Sequence, residues 1–308
     1  MEPYLSICIP TYNRLEILIN TIDSIYADVT EDIIDLFEVV VSDNSPDYNC
    51  QPIETRYAKY SNFHYYSTKC EGFLNSYYAL TYGRGKFIKL HNNTALLKKN
   101  ALLHMIDLVK DNVQTRPAIV FTDGYRLKGR VEQYSNFDSF MRGASYFTSW
   151  STGFGMWKED FDIVKGIQLN KLFPQTSLLV TQINKHIYIV DDYNLFVTQK
   201  VPQKGGYNIF NAFSVDYLNI VKGFRDNHII SEECYSYIKD SLLYKFLSVR
   251  YFKTVIAKLD KFDHTDIKSS LLINYSKIDY FKFKIASIWG PFRFIIRELY
   301  KSFFTQLK

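Results

Sequence analysis

The residues able to do chemistry gather in four short stretches of the N-terminal half. Pro10, Thr11, Tyr12, Asn13 and Arg14 follow an apolar run and precede a helical pattern. Backbone N–H groups at such a helix start favour anionic or polar partners. Asp43, Asn44 and Ser45 end a second apolar run before Pro46, a turn signal that alone reads as an ordinary Asx turn. Gly72 and Asn75 stand at the entry to another helical pattern. His91, Asn92, Asn93 and Thr94 close a further apolar run, and imidazole suits transition metals better than hard cations. A lone histidine at a strand end is more often a plain structural residue.

These stretches need elements to hold them. Apolar runs at 5–9, 37–42, 63–67, 86–90 and 118–122 read as strands. Leu15, Leu18, Ile19, Ile22 and Ile25 recur at helical spacing, with Asn13 as the expected N-cap. Helical patterns also cover 75–82 and 100–109. This alternation predicts an α/β fold, a mostly parallel sheet with helices on both faces. Ligands then bind beyond the carboxyl ends of the strands, where Pro10-Thr11, Asp43-Asn44 and His91-Asn92-Asn93 fall. Aromatic-rich, irregular sequence runs from 134 to 157, a strand-like stretch from 186 to 197, and helical sequence from about 211.

Several chemistries are excluded by missing motifs. Gly83 with Gly85, and Gly153 with Gly155, lack the third glycine of a dinucleotide fingerprint. Gly124 to Arg130 has the glycine spacing of a P-loop but arginine where its lysine belongs. HExxH and GxSxG are absent. Of the 308 residues, 47% are apolar and 22% charged, an ordinary folded composition. No run approaches eighteen apolar residues and the start lacks a leader pattern, so a cytoplasmic location is expected. Cys8, Cys50, Cys70 and Cys234 show no paired spacing, which fits a reducing compartment.

In order and spacing, the 5–14, 39–45, 70–75 and 85–94 segments resemble the family 2 glycosyltransferases of the GT-A fold. The resemblance is close over residues 4–112, loose over the next hundred and absent at the C-terminus. It implies a GT-A domain at 1–210, and the helical pattern beyond it makes 211–308 a helical C-terminal region. It also implies a nucleotide-sugar donor carrying UDP, GDP, CDP or dTDP. By that likeness Asp43 would accept from a base N–H or ribose hydroxyl. Pro10, Thr11, Tyr12, Asn13, Arg14, Asn44, Ser45, Gly72, Asn75 and Asn92 would line the donor site. Where family members place aspartates for Mn²⁺ or Mg²⁺, this sequence has His91 and Asn93, so a tight metal site is doubtful on chemical grounds. Two readings stay open: His91 with Asn93 would hold a softer ion such as Mn²⁺, or His91, Lys200 or Lys204 would neutralise the diphosphate without metal, Lys204 from a Gly-rich loop.

The family's catalytic carboxylate pair is also missing. The matching stretch contains Gln175, which is no general base but can orient a sugar. Asp123, at the fifth strand end, is the best remaining carboxylate. Trp150 and Trp157, with Tyr146, stand where relatives receive acceptors; their rings would stack on a sugar or fill a core.

Net charge is +5 overall, and residues 277–308 alone hold seven Lys/Arg against two Asp/Glu, with nine aromatics. That composition predicts peripheral binding to an anionic membrane surface rather than to nucleic acid. The expected activity is transfer of a sugar to a lipid-linked or growing surface glycan, such as capsule or O-antigen, in a bacterial-type setting. A non-catalytic glycan-binding scaffold is the alternative.

Overall fold

The computed structural model describes residues 2–47, 49–164, 166–201 and 205–289. The chain divides into two units, Met1–Val201 and Pro202–Lys308. The first unit begins with β1 (Leu5–Thr11), α1 (Leu15–Tyr26), β2 (Phe37–Asp43), α2 (Pro52–Arg56) and β3 (Phe63–Ser67). Next come α3 (Asn75–Tyr82), β4 (Phe87–Leu90), β5 (Ala95–Leu97), α4 (Ala101–Asp111), β6 (Ala118–Phe121) and β7 (Val131–Tyr134). It finishes with α5 (Phe137–Ala144), β8 (Gly155–Trp157), α6 (Lys158–Ile163), α7 (Pro174–Leu179), β9 (Tyr188–Asp191) and β10 (Phe196–Thr198).

The central sheet has the order β3-β2-β1-β4-β8. Its first four strands are parallel, and β8 runs antiparallel to β4. Strands covered on both faces need apolar residues on both, which is why β1 and β2 read as continuous runs rather than alternating ones. Helix α1 buries Leu18, Ile22 and Ile25, as its spacing requires. A second sheet, β6-β9-β7, meets the first through an antiparallel bridge between Val120 and Phe154. Since β8 opposes both β4 and β6, β6 runs with β4. Thr11, Asp43, His91 and Asp123 therefore stand on one edge.

The opposite edge is fixed by a buried acid. Glu38 Oε1 accepts from Ser6 Oγ at 2.6 Å and from the Gly85 amide at 3.2 Å. Ser6 Oγ in turn accepts from Gly85 at 2.8 Å, so one carboxylate binds β1, β2 and the turn into β4.

Three expectations change. Asn13 does not cap α1: it adopts a left-handed φ of 49° and Arg14 is the N-cap. The aromatic-rich stretch contains a helix, α5, whose Phe137, Phe140, Met141 and Ala144 form a buried stripe. The strand-like run at 186–197 divides into β9 and the start of β10, which pairs with β5.

The second unit holds β11 (Gly205–Asn208), α8 (Ile209–Asn211), α9 (Leu218–Asp226), α10 (Glu232–Ser241) and α11 (Ser248–Tyr251). These are followed by β12 (Lys261–Asp263), parallel to β11, by α12 (Ile267–Asn274), and by helical residues 277–289.

Two features of the first sheet are physically expensive. At Gly153 an added Cβ would lie 2.4 Å from the Phe121 carbonyl oxygen, and at Gly155 it would lie 2.3 Å from the Phe87 ring. The glycines thus serve close packing between β8, β4 and β6, not the approach of a ligand. Lys89 is completely buried in β4. Its ammonium donates to the carbonyls of Thr152 and Leu90 and sits 4.9 Å and 4.8 Å from the Phe121 and Phe196 rings. Burial pulls its pKa down to about 7, with Asp191 and Asp123 acting in the other direction.

Gly153→Ala should destabilise the fold by about 1–3 kcal/mol, read as a lower denaturant midpoint at unchanged slope. Lys89 generates a pH effect of definite sign. Below its folded pKa of about 7 the ammonium is charged in both states, and its burial penalty is present in full. Between there and the unfolded value of 10.5 the unfolded chain binds the extra proton, so stability rises with pH. The slope should approach ~1.4 kcal/mol per pH unit and vanish in Lys89→Met, as measured by urea unfolding from neutral to alkaline pH.

Candidate active site

The carboxyl edge is organised by side chains that bind one another. Asn75, buried at the start of α3, donates from Nδ2 to Ser42 O at 2.8 Å, Thr11 O at 3.2 Å and Asn44 Oδ1 at 3.0 Å. Its Oδ1 accepts from Ser42 Oγ at 2.6 Å. One carboxamide thus holds the ends of β1 and β2 together. Asn93 adds β4 to the set: its Nδ2 donates to Thr11 Oγ1 at 2.8 Å, while its carbonyl accepts from Thr21 Oγ1 of α1 at 2.7 Å.

Asp43 is also buried, and both of its oxygens are occupied. Oδ1 accepts from the Ser45 amide at 2.9 Å and the Ser45 hydroxyl at 2.5 Å. Oδ2 accepts from Tyr65 Oη at 2.9 Å and the Cys50 amide at 3.3 Å. Ser45 Oγ then receives the Asn13 amide at 2.8 Å, which fixes the β1–α1 turn in its left-handed bend. The expected direct contact between Asp43 and a base has no open oxygen to use; Asp43 builds the turn that would receive one. Tyr65 and Cys50 escaped sequence reasoning because nothing local ties them to residue 43.

What this frame leaves open is the surface of the β1–α1 turn. Tyr12 is 52% exposed. Arg14 is half-buried, and its guanidinium makes no hydrogen bond or ion pair with a described residue. Burial lowers its pKa, the mark of a cation held out of water without a counter-charge. Phe73 is another exposed ring at this edge, beside Gly72, which takes a φ of +50°. Asn44 Nδ2 reaches the Cys70 and Gly72 carbonyls at 3.4 Å, bringing that segment against the turn. Pro10 is partly buried at the end of β1.

His91 differs from expectation. It is fully buried, and Nε2 donates to the Ala95 carbonyl at 2.6 Å, leaving Nδ1 as a bare lone pair with no partner. Burial, reinforced by Lys89, holds its pKa down at about 3. It is therefore neutral near pH 7 and cannot neutralise a diphosphate. The Asn92 amide donates to Thr152 Oγ1 at 3.1 Å. A divalent cation here would find one imidazole nitrogen and amide oxygens but no anionic ligand. Among the described residues no cluster of three or more His, Cys, Asp or Glu is arranged to hold a metal. This donor set does not fit Mn²⁺ or Mg²⁺. Lys200 is exposed, and Lys204 lies outside the described residues.

On the neighbouring strands, Asp191 and Asp192 are buried and internally bonded. Asp123 is different. Its Oδ1 accepts from the Leu195 and Phe196 amides at 2.8 and 3.0 Å, while burial raises its pKa overall. Beside it, Tyr125 is highly exposed and stacks on Phe147, which meets Tyr146 face to face and Trp150 edge on. Tyr125 is missed in the sequence although it lies two residues from Asp123. Trp157, expected on the acceptor side, is a core residue instead. It is buried, edge-on to Phe87, with Nε1 donating to Pro117 O at 2.7 Å. Gln175 is buried too, and its Nε2 donates to Ser149 O at 2.6 Å. It secures the aromatic segment rather than facing a substrate.

Residues 6–156 match the family described as Glycosyl transferase family 2. No curated relative matches the sequence. Among solved structures, S. aureus TarS 1-349 in complex with UDP-GlcNAc aligns at 16% identity and a TM-score of 0.55, over 89% of this chain and 79% of that one. A longer S. aureus TarS structure aligns at 15% identity and a TM-score of 0.52, over 84% of this chain and 45% of that one. The chain thus spans less than half of that protein. The mannosyltransferase PcManGT from Pyrobaculum calidifontis, in complex with GDP-Man and Mn²⁺, aligns at 14% identity and a TM-score of 0.53, over 93% and 86% of the two chains. Likeness at these identities is a likeness of fold. Residues 6–156 thus belong to glycosyl transferase family 2, and the chain has the GT-A fold.

Proposed function

We propose that this chain transfers one sugar from a nucleoside diphosphate sugar to a hydroxyl of a lipid-linked or growing surface glycan. The observation that carries the reading is the β1–α1 turn. Within a family 2 segment, buried side chains fix this turn and leave an exposed tyrosine and a guanidinium that pairs with no described residue at the carboxyl edge. Tyr12 offers a face for a base. Arg14 offers charge-assisted, bidentate bonds to a diphosphate, the work that a metal ion would otherwise share.

Transfer requires the acceptor oxygen to bond the anomeric carbon as the bond to the diphosphate oxygen breaks, with the acceptor proton leaving to a base. Asp123 is the carboxylate suited to that proton. It stands on the same edge, keeps a second oxygen outside its two amide bonds, and is made more basic by burial. The Tyr125, Phe147 and Trp150 rings beside it give a sugar an apolar face to stack on. S. aureus TarS and PcManGT were solved with UDP-GlcNAc and GDP-Man, and this support extends to the donor class alone.

Calorimetric titration with UDP, GDP, CDP and dTDP, each with Mn²⁺ and with EDTA, tests the donor site. One nucleotide should bind with similar affinity in both conditions, and Arg14→Ala should weaken it at least tenfold without lowering the melting temperature. Binding that EDTA abolishes would reverse the metal-free reading, and failure of all four nucleotides would leave the scaffold reading in its place. Asp123→Asn preserves the oxygen that caps residues 195–196. It should lower kcat by roughly 10²–10⁴-fold while nucleotide affinity holds. In the parent enzyme, activity should rise with pH through an apparent pKa above the usual aspartate value, because burial raises it. Unchanged turnover in Asp123→Asn would assign the proton to another group.

A further inference from the structure

Residues 277–289 form a helix whose two faces differ sharply. Its start is closed by a reciprocal cap. Ser276 Oγ donates to Asp279 Oδ2 at 2.8 Å, and the Asp279 amide donates to Ser276 Oγ at 3.1 Å. The hydrogen bond from Ser276 holds the Asp279 carboxyl below its ordinary pKa. On the inward face Phe283 and Ser287 are buried, Phe283 meets the Tyr251 ring at 5.4 Å, and Lys284 reaches the Tyr251 hydroxyl.

The outward face carries Ile278, Phe281, Ile285, Ile288 and Trp289, each between 43% and 67% exposed. Successive members lie three or four residues apart from 278 to 288, so helical geometry aligns them in one stripe. The same geometry places exposed Lys277 on one flank and exposed Lys282 on the other. Asp279, the one acid between 277 and 289, is taken up in the cap. In sequence the chain continues with Arg293, Arg297, Lys301 and Lys308 against Glu298, residues that lie outside those described.

We propose that this face docks on an anionic lipid surface, with the helix lying along the bilayer plane. The stripe would enter the boundary between headgroups and acyl chains while the flanking lysines extend their stems toward lipid phosphates. Among the described residues no helix is long and apolar enough to cross a membrane, so the contact is interfacial. A second copy of this chain fits the face less well. Stripe-to-stripe pairing about a twofold axis would bring the lysine flanks of both copies together, a repulsion that the Asp240 and Asp279 carboxylates near Lys282 reduce at that flank.

The test is sedimentation of the full-length chain with phosphatidylcholine vesicles, with and without phosphatidylglycerol. Binding should require the anionic lipid and fall as salt is raised. Lys277→Glu with Lys282→Glu should cut partitioning by roughly five-fold or more per lysine. Phe281→Glu with Ile285→Glu should abolish it at an unchanged melting temperature, since both side chains are exposed. Equal binding to both vesicle types, no binding to either, or binding that survives the Phe281/Ile285 pair would overturn the proposal. So would a parent dimer in light scattering that Phe281→Glu dissociates, because the face would then belong to a second copy.

Discussion

The carboxamide of Asn75 is the interaction on which the candidate site depends. A parallel sheet leaves carbonyls at its carboxyl edge with no further strand to accept from, and buried carbonyls need donors. Asn75 meets this need at Ser42 and, beside the Asn44 amide that donates to the same oxygen, at Thr11; its own oxygen is satisfied by the Ser42 hydroxyl. Both arms of the amide are consumed by geometry. The ends of β1 and β2 are thereby locked in register, and the turns that follow them start from fixed positions. Asp43 then fixes the second turn and passes the constraint through Ser45 to the Asn13 amide. Rigidity at Tyr12 and Arg14 is inherited from residues that need never touch a ligand.

That inheritance explains what the sequence shows and what it hides. Strands such as β1 and β2 are legible because burial on both faces demands unbroken apolar runs, and α1 because one buried face demands helical spacing. Helix α5 carries the same kind of stripe, but asparagine, serine and glycine around it resemble a loop. Asp43 is legible as a turn residue. Its closure by Tyr65 and Cys50 is not, because those partners arrive from separate segments and only the fold brings them together. Residue type alone likewise says nothing about depth. Trp150 and Trp157 read alike in sequence, yet one lies half-buried among rings at the edge and the other in the core bonded to Pro117.

Charge placement at the edge follows one logic. Each of Asp43, Asp191 and Asp192 is buried and met by several donors, so none is left over for a cation. His91 is neutral through burial, and the buried ammonium of Lys89 lies close enough to depress it further. With Asp43, Asp191 and Asp192 consumed in this way, and a guanidinium at the rim that pairs with no described residue, the β1–α1 turn favours an anion over a metal-bound anion. The replacement of aspartates by His91, Asn92 and Asn93 is thus consistent with its surroundings. A divalent ion beside Lys89 would meet a positive charge behind it and amides in front.

Lys89 also shows how the edge and the aromatic segment are mechanically joined. Its ammonium binds the Thr152 carbonyl, and the Thr152 hydroxyl receives the Asn92 amide. The end of β4 and the segment that carries Trp150 are therefore held by the same residue from two sides. A lysine in that position must be desolvated, and the two phenyl rings and two carbonyls around it replace only part of its hydration. An apolar residue would fill the space with less strain on stability, but it would leave the Thr152 carbonyl without this donor. The alignment of the donor edge with the aromatic platform beside Asp123 rests on that exchange of stability for position.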